Sequence, residues 1–134
     1  GTNAFYGSPN LQSVILPNSL TIIADYAFNT CAKLELTKFP ENLTEIGPRA
    51  FYNCPKVTIT EIPENVTKIG YQSFRACKGI TELTFKGIPK TIHSDAFPNC
   101  TNLVTINVPW SEGEVADAPW GATNATINYN YTGE

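Results

Sequence analysis

Four cysteines stand at positions 31, 54, 77 and 100, each 23 residues from the next. Cysteine is a zinc ligand, and a zinc site needs its donors to converge on one ion at about 2.3 Å. The other reactive groups are few. The single histidine, His93, is followed by Ser94 and Asp95, and the carboxylates Glu112 and Glu114 flank a glycine. His, Ser and Asp are the members of a nucleophilic triad, but a triad sets the histidine between its partners in space, which three consecutive residues do not achieve. A catalytic acid pair needs a pocket that drives its two pKa values apart, whereas Glu112 and Glu114 sit in a stretch that reads as a solvated loop. No phosphate-cradling glycine loop, EF-hand loop or His-Glu-x-x-His motif occurs. Asn-x-Thr triplets begin at Asn42, Asn65, Asn99, Asn124 and Asn130. They would mark glycosylation in a eukaryotic secreted chain, but here they follow largely from a repeat.

That repeat is what positions the cysteines. Phe5, Phe28, Phe51, Phe74 and Phe97 keep the same 23-residue interval, the signature of a solenoid in which each repeat turns the chain once. One apolar column is Leu11, Leu34, Val57, Ile80 and Leu103; a second is Leu16, Phe39, Ile62, Phe85 and Val108; a third is Ile23, Ile46, Ile69 and Ile92. Pro17, Pro40, Pro63 and Pro109 share a slot that Lys86 interrupts, and Gly47 and Gly70 share one that Ala24 and His93 occupy elsewhere. Each coil therefore reads as a short parallel strand ended by proline, a second short extended piece such as Leu20 to Ile23, and a tight helical or 3-10 turn that points Ala, Phe and Cys inward. Coils two and three break the pattern. They carry Thr37 and Thr60 where the others have Val14, Leu83 and Ile106, and use Leu36 and Ile59 instead, so their strand register is expected to shift or bulge.

Stacking decides the chemistry. At about 4.8 Å per coil, one cysteine per coil forms a line rather than a cluster, so no metal site is expected. Parallel side-chain vectors likewise oppose disulfides. Buried reduced thiols that behave as small apolar residues are the reading that remains. The interior column of rings makes residues 1–109 five coils that begin in mid-repeat, as a fragment of a longer array would. Residues 110–134, which hold Trp110 and Trp120 and end in the alternating Thr126 to Tyr131, read as a β cap over the last open coil.

The pattern Leu103-x-x-Ile106-x-Val108-Pro109, together with Leu43-Thr44-x-Ile46-Gly47-x-x-Ala50-Phe51-x-x-Cys54, resembles the BspA-type (Treponema pallidum-type) leucine-rich repeat over residues 4–109. Ser8 for Cys, Ser73 for Ala, Lys86 for Pro and His93 for Gly are departures from it. The resemblance implies a right-handed solenoid of bacterial cell-surface or secreted proteins, some of which bind extracellular-matrix proteins or other bacteria. It implies no common enzyme activity and no cofactor.

A net charge of −3, with lysines and arginines interleaved among acids, argues against a nucleic-acid partner. No apolar run reaches the ~18 residues that a membrane-spanning helix needs. The outward strand positions remain. They form two rows, Gln12, Glu35, Thr58, Thr81 and Val104, and Ile15, Lys38, Glu61, Thr84 and Asn107. Such a face is the usual binding surface of a solenoid. The function expected is non-enzymatic binding of a protein or glycan through this face, and the alternative is a structural spacer with no ligand of its own.

Overall fold

The computed structural model of the protein describes residues 6–133; Phe5 and the start of the first coil lie outside the described residues. Eight short strands follow in chain order: β1 (Ile22–Ile23), β2 (Glu45–Ile46), β3 (Glu61–Ile62), β4 (Lys68–Ile69), β5 (Glu82–Phe85), β6 (Thr91–Ile92), β7 (Thr105–Asn107) and β8 (Thr126–Asn128). They form two parallel sheets, ordered β1-β2-β4-β6 and β3-β5-β7-β8. In the first sheet the register places Ile23, Ile46, Ile69 and Ile92 side by side. All four are buried, while their neighbours Ile22, Lys68 and Thr91 face solvent. The chain is thus a solenoid with a strand side, a second sheet side and a turn side.

The phenylalanines form the expected file. Phe28 and Phe51 stack with ring centroids 5.4 Å apart, Phe51 and Phe74 at 5.5 Å, and Phe74 and Phe97 at 5.1 Å. Interplanar angles of 7° to 11° make each pair nearly parallel, so the coil spacing is transmitted from ring to ring. Phe39 tilts against both Phe51 and Phe74 and joins this file to the strand side.

The turn side departs from expectation. Instead of a helical or 3-10 turn, the Ala-Phe-x-x-Cys segment is a series of β-turns, and no helix occurs among the described residues. Ala27 N–H donates to Ala24, and Cys31 N–H to Phe28. Tyr26 and Thr30, each third in its turn, have φ of 61°, the left-handed conformation that a type II turn requires there. The reversal at alternate residues has a reason. It frees the amides of Tyr26, Phe28 and Thr30 to donate to the carbonyls of Pro48, Ala50 and Tyr52 in the next coil. A helix would consume those donors within one coil, leaving the turn side without a ladder.

The strand side resolves the irregularity of coils two and three. In coil four, Thr81 and Glu82 both point outward between buried Ile80 and Leu83, and a single outward residue, Thr84, precedes buried Phe85. In coils two and three the doubled outward pair comes later, as Thr37 and Lys38 before Phe39, and as Thr60 and Glu61 before Ile62. Coil length is unchanged because the bulge moves rather than being added. The bridge between Leu36 and Val57, and the bond from Thr58 N–H to the Leu36 carbonyl, record the local slip in register. By coil four the 23-residue step is restored, with Glu61 beside Thr84 and Ile62 beside Phe85.

At the C-terminal end the segment expected as a cap is built as a further coil. β8 pairs in parallel with β7, Thr126 beside Thr105 and Ile127 beside Ile106. Trp120, 23 residues after Phe97, takes the next place in the turn ladder and accepts the Phe97 amide through its carbonyl at 2.9 Å. Trp110 and Trp120 meet edge to face at 6.1 Å, and Trp110 meets Phe85 in the same way at 5.4 Å. Both indoles are buried, so they close the apolar strip with two large side chains. The Trp120 indole N–H donates to Ala116, whereas that of Trp110 has no hydrogen-bond partner.

Tight stacking also explains the glycine slot. A Cβ on Gly47 would lie 2.7 Å from the backbone nitrogen of Asp25 in the coil before it. Phe51→Ala should lower the unfolding free energy by about 3–5 kcal/mol, because the side chain is fully buried between two stacked rings. Gly47→Ala should lower it by about 1–3 kcal/mol. Chemical denaturation of both variants checks the two values, and an unchanged midpoint for Phe51→Ala would remove the ring file as a source of stability.

Candidate functional site

The cysteines are aligned by the same ladder. Cys54 Sγ–H donates to the Phe28 carbonyl at 3.0 Å, Cys77 to Phe51 at 3.1 Å and Cys100 to Phe74 at 2.9 Å. All four cysteines are buried, and Cys54, Cys77 and Cys100 are in no disulfide. Burial pushes Cys54 up to about 12 and Cys100 to about 11, with the neighbouring backbone donors acting weakly the other way. Cys77 is raised well above the usual thiol value and Cys31 is raised as well, again chiefly by desolvation. A thiol held this way is neither a nucleophile nor a metal ligand at neutral pH, and no metal-binding cluster occurs among the described residues.

The remaining chemical candidates are dispersed. His93 is exposed in its turn, where its Nδ1 accepts the Asp95 amide at 3.0 Å and its ring meets the edge of Tyr71. That slot is open because the turn ladder lengthens by one residue here, Gln72 bonding to Asp95. Glu114 accepts the Ser111 amide in an exposed loop. Asn42, Asn65 and Asn124 direct their amide groups to the carbonyls of Asn18, Glu41 and Thr101 in the preceding coils; these side chains knit the corners of the stack.

A groove runs along the strand side where the displaced bulge of coils two and three lies. Thr37 and Lys38 in coil two and Thr60 and Glu61 in coil three line it, with the buried Phe39 beneath. The corner turns that follow each proline form its wall, through Glu41 and Asn42 and then Glu64 and Asn65, and Lys86 closes the end. The groove encloses about 750 Å³ and is open to solvent along its length. A second hollow of about 500 Å³ continues it past Lys38 toward Val14, Leu16 and Asn18. Lys86 Nζ stands 3.9 Å from Glu61 Oε2 with both side chains more than half exposed, a pair that contributes little to stability. Charges of both signs therefore line one channel and stay free to be matched by a partner.

The sequence-derived rows fall unevenly on this side. Gln12, Glu35, Lys38, Thr58, Glu61 and Thr81 are exposed, as is Ile15 at 94%, and Thr84 is half-buried. Only Lys38 and Glu61 lie in the larger groove. Asn107 is not a surface group. It is 2% exposed, donates to Glu82 and Thr84 at 2.9 and 3.1 Å, and accepts from Asn128 at 2.8 Å. The coil bearing Asn128 turns what would have been an outward position into a satisfied internal one. Glu41, Asn42, Glu64 and Asn65 were not singled out from the sequence. The signal for them was present in the repeated Pro-Glu-Asn at 40–42 and 63–65.

A stack of 23-residue parallel coils with an aliphatic interior and a polar strand-side surface defines a leucine-rich repeat protein. The BspA type leucine rich repeat region matches residues 1–118 in six copies, and the chain belongs to that family. The solved structures it resembles are bacterial. A leucine-rich repeat protein of T. pallidum is 26% identical, over 97% of this chain and 61% of that one, with a TM-score of 0.71. A leucine rich cell surface protein of Faecalibacterium prausnitzii is 28% identical over 90% and 32%, with a TM-score of 0.68. A leucine-rich repeat protein of Bacteroides ovatus is 29% identical over 80% and 28%, with a TM-score of 0.65. The chain spans 28% to 61% of the length of these proteins. No curated protein matches it. The family is not generally enzymatic, and among the described residues no helix is long and apolar enough to cross a membrane.

The thiol ladder gives a pH signature. Because burial raises the folded-state values above the reference of 9.0, the thiols favour the folded state fully below pH 9, and this contribution is lost as pH rises from 9 toward 12. Unfolding free energy should therefore be level through neutral pH and fall above 9. A thiol-specific chromogenic reagent at pH 8 should leave Cys54, Cys77 and Cys100 unmodified in the native protein and titrate them in urea; rapid native labelling of Cys77 would contradict the burial.

Proposed function

We propose that the chain is a non-enzymatic binding module of a bacterial cell-surface or secreted protein, engaging a protein or glycan through the strand side of the solenoid. The groove across coils two to four carries the reading. It combines exposed charges of both signs with amide and hydroxyl groups in an open channel, which suits recognition by many weak polar contacts and offers no enclosed pocket for chemistry. The similar protein of F. prausnitzii is a cell surface protein, which supports the location.

Glu35, Lys38 and Glu61 are exposed and lie apart from the ring file, so their joint replacement by glutamine should leave the melting temperature within about 2 °C of the parent, as surface substitutions usually do. A ligand identified by screening the chain against immobilised glycans and extracellular proteins should bind this variant at least ~10-fold more weakly, a loss of about 1.4 kcal/mol. Equal affinity, measured by surface plasmon resonance, would move the site off the strand side. A structural spacer would yield no specific partner in the screen.

A further inference from the structure

The turn side carries a cluster that the strand-side reading leaves unused. The slot before the buried alanine or serine holds a left-handed residue in three successive coils, Tyr26, Arg49 and Gln72, with φ of 61°, 55° and 51°; Tyr26 and Arg49 are half-buried at the surface and Gln72 is covered beneath them. Asparagine and glycine take this conformation most readily. Tyr26 and Arg49 there carry a local cost that the ring file does not require, since they lie on the half-exposed turn side. Their side chains are linked along the axis. Arg49 donates to the Tyr26 hydroxyl and the Gln72 carbonyl oxygen, both at 3.3 Å, and Gln72 donates to Asp95 at 3.0 Å.

Aromatic rings hold the cations of this ledge. The Arg49 guanidinium lies 5.9, 5.7 and 5.2 Å from the ring centres of Tyr26, Tyr52 and Tyr71, and Arg75 lies 5.3 Å from Tyr52. Cation–π contacts of this kind fix a guanidinium without neutralising it. Among the described residues the ion pair of the protein is Lys86 with Glu61, so neither arginine is met by a carboxylate, although acids outnumber bases over the whole chain. Both guanidiniums remain half-exposed, and the Tyr71 ring beside them is 38% exposed.

A fixed, uncompensated guanidinium presents its remaining N–H groups as a fork for an oxyanion. Two of them, contributed by successive coils against one tyrosine ring, match a ligand that repeats its anionic groups along a line. Exposed tyrosine rings beside the cations add flat apolar faces of the kind on which sugar rings lie. We propose that the turn side binds an acidic polysaccharide, whose carboxylate or sulfate groups pair with Arg49 and Arg75 while its sugar rings rest on Tyr71 and its neighbours. This site is separate from the strand-side groove and does not depend on it.

Calorimetric titration of the whole chain at low salt with polygalacturonate, dextran sulfate, neutral dextran and poly-glutamate tests the assignment. At least one acidic polysaccharide should bind, more weakly as salt rises, and which of the two binds distinguishes carboxylate from sulfate as the anion. Arg49→Gln should weaken binding about 10-fold or more and Arg75→Gln several-fold, with Arg49→Lys recovering only part of the loss, because a point charge lacks the fork. Arg75→Gln keeps the test decisive if Arg49→Gln lowers the melting temperature. The Glu35, Lys38 and Glu61 triple variant should bind the polysaccharide as the parent does, which separates failure here from failure of the strand-side reading. Absence of binding to both acidic polysaccharides, equal binding to neutral dextran, equal or tighter binding to poly-glutamate, or unchanged affinity in both arginine variants would overturn the proposal.

Discussion

Everything in this molecule depends on backbone groups of one coil being satisfied by the next. On the turn side alternate amides donate forward, as Phe28 does to Ala50 and Phe51 to Ser73. On the first sheet they donate backward, as Gly47 does to Ile23 and Gly70 to Ile46. A buried amide without an acceptor is expensive, so this two-way ladder fixes the distance between coils and lets little else vary. Ring stacking near 5.4 Å, thiol donors at about 3 Å and the bare glycine slot are consequences of that distance. The side chains were selected for a spacing that the main chain sets.

The constraint also explains the inert interior. Cysteine fits a position where a small side chain must reach one carbonyl of the preceding coil and otherwise meet apolar atoms. Cys54, Cys77 and Cys100 do the same within 0.2 Å of one another, and Ser73, in the alanine slot, sets its single hydroxyl donor within reach of the carbonyls of Gly70 at 2.7 Å and Gly47 at 3.0 Å. Reactivity would need a thiolate, and the desolvated setting opposes it. Function is therefore left to the surface, where each coil contributes a few residues free of the ladder.

Much of the architecture was legible in the sequence because a strict period needs no knowledge of contacts. The Phe file and the isoleucine ladder follow from residue type and interval alone. The turns were misread for a physical reason. Ala-x-x-x-Cys spacing suits a helical turn as well as linked β-turns, and the choice was made by acceptors 22 residues away, as with Tyr26 and Pro48. Burial of Asn107 was hidden similarly, since its partners Glu82 and Thr84 come from the coil before it and Asn128 from the coil after it. The coil beyond Pro109 escaped the period because no phenylalanine marks it, Trp120 packing on Phe85 and Trp110 instead of on Phe97, and because its strand arrives 21 residues after β7 rather than 23. The groove was only half visible: Lys38 and Glu61 were in the rows, but the corner residues that enclose it belong to another part of the coil.

The early or late placement of the outward pair at constant coil length has an evolutionary corollary. Swapping one apolar and one polar residue within a strand segment, as between the Glu82-Leu83 and Leu36-Thr37 arrangements at equivalent positions, relocates the outward pair without insertion or deletion. Neighbouring coils still mate because their termini are unaltered. An array of this kind holds a two-letter alphabet of coil shapes, and new surface relief can be composed by point mutation alone while the scaffold keeps its pitch.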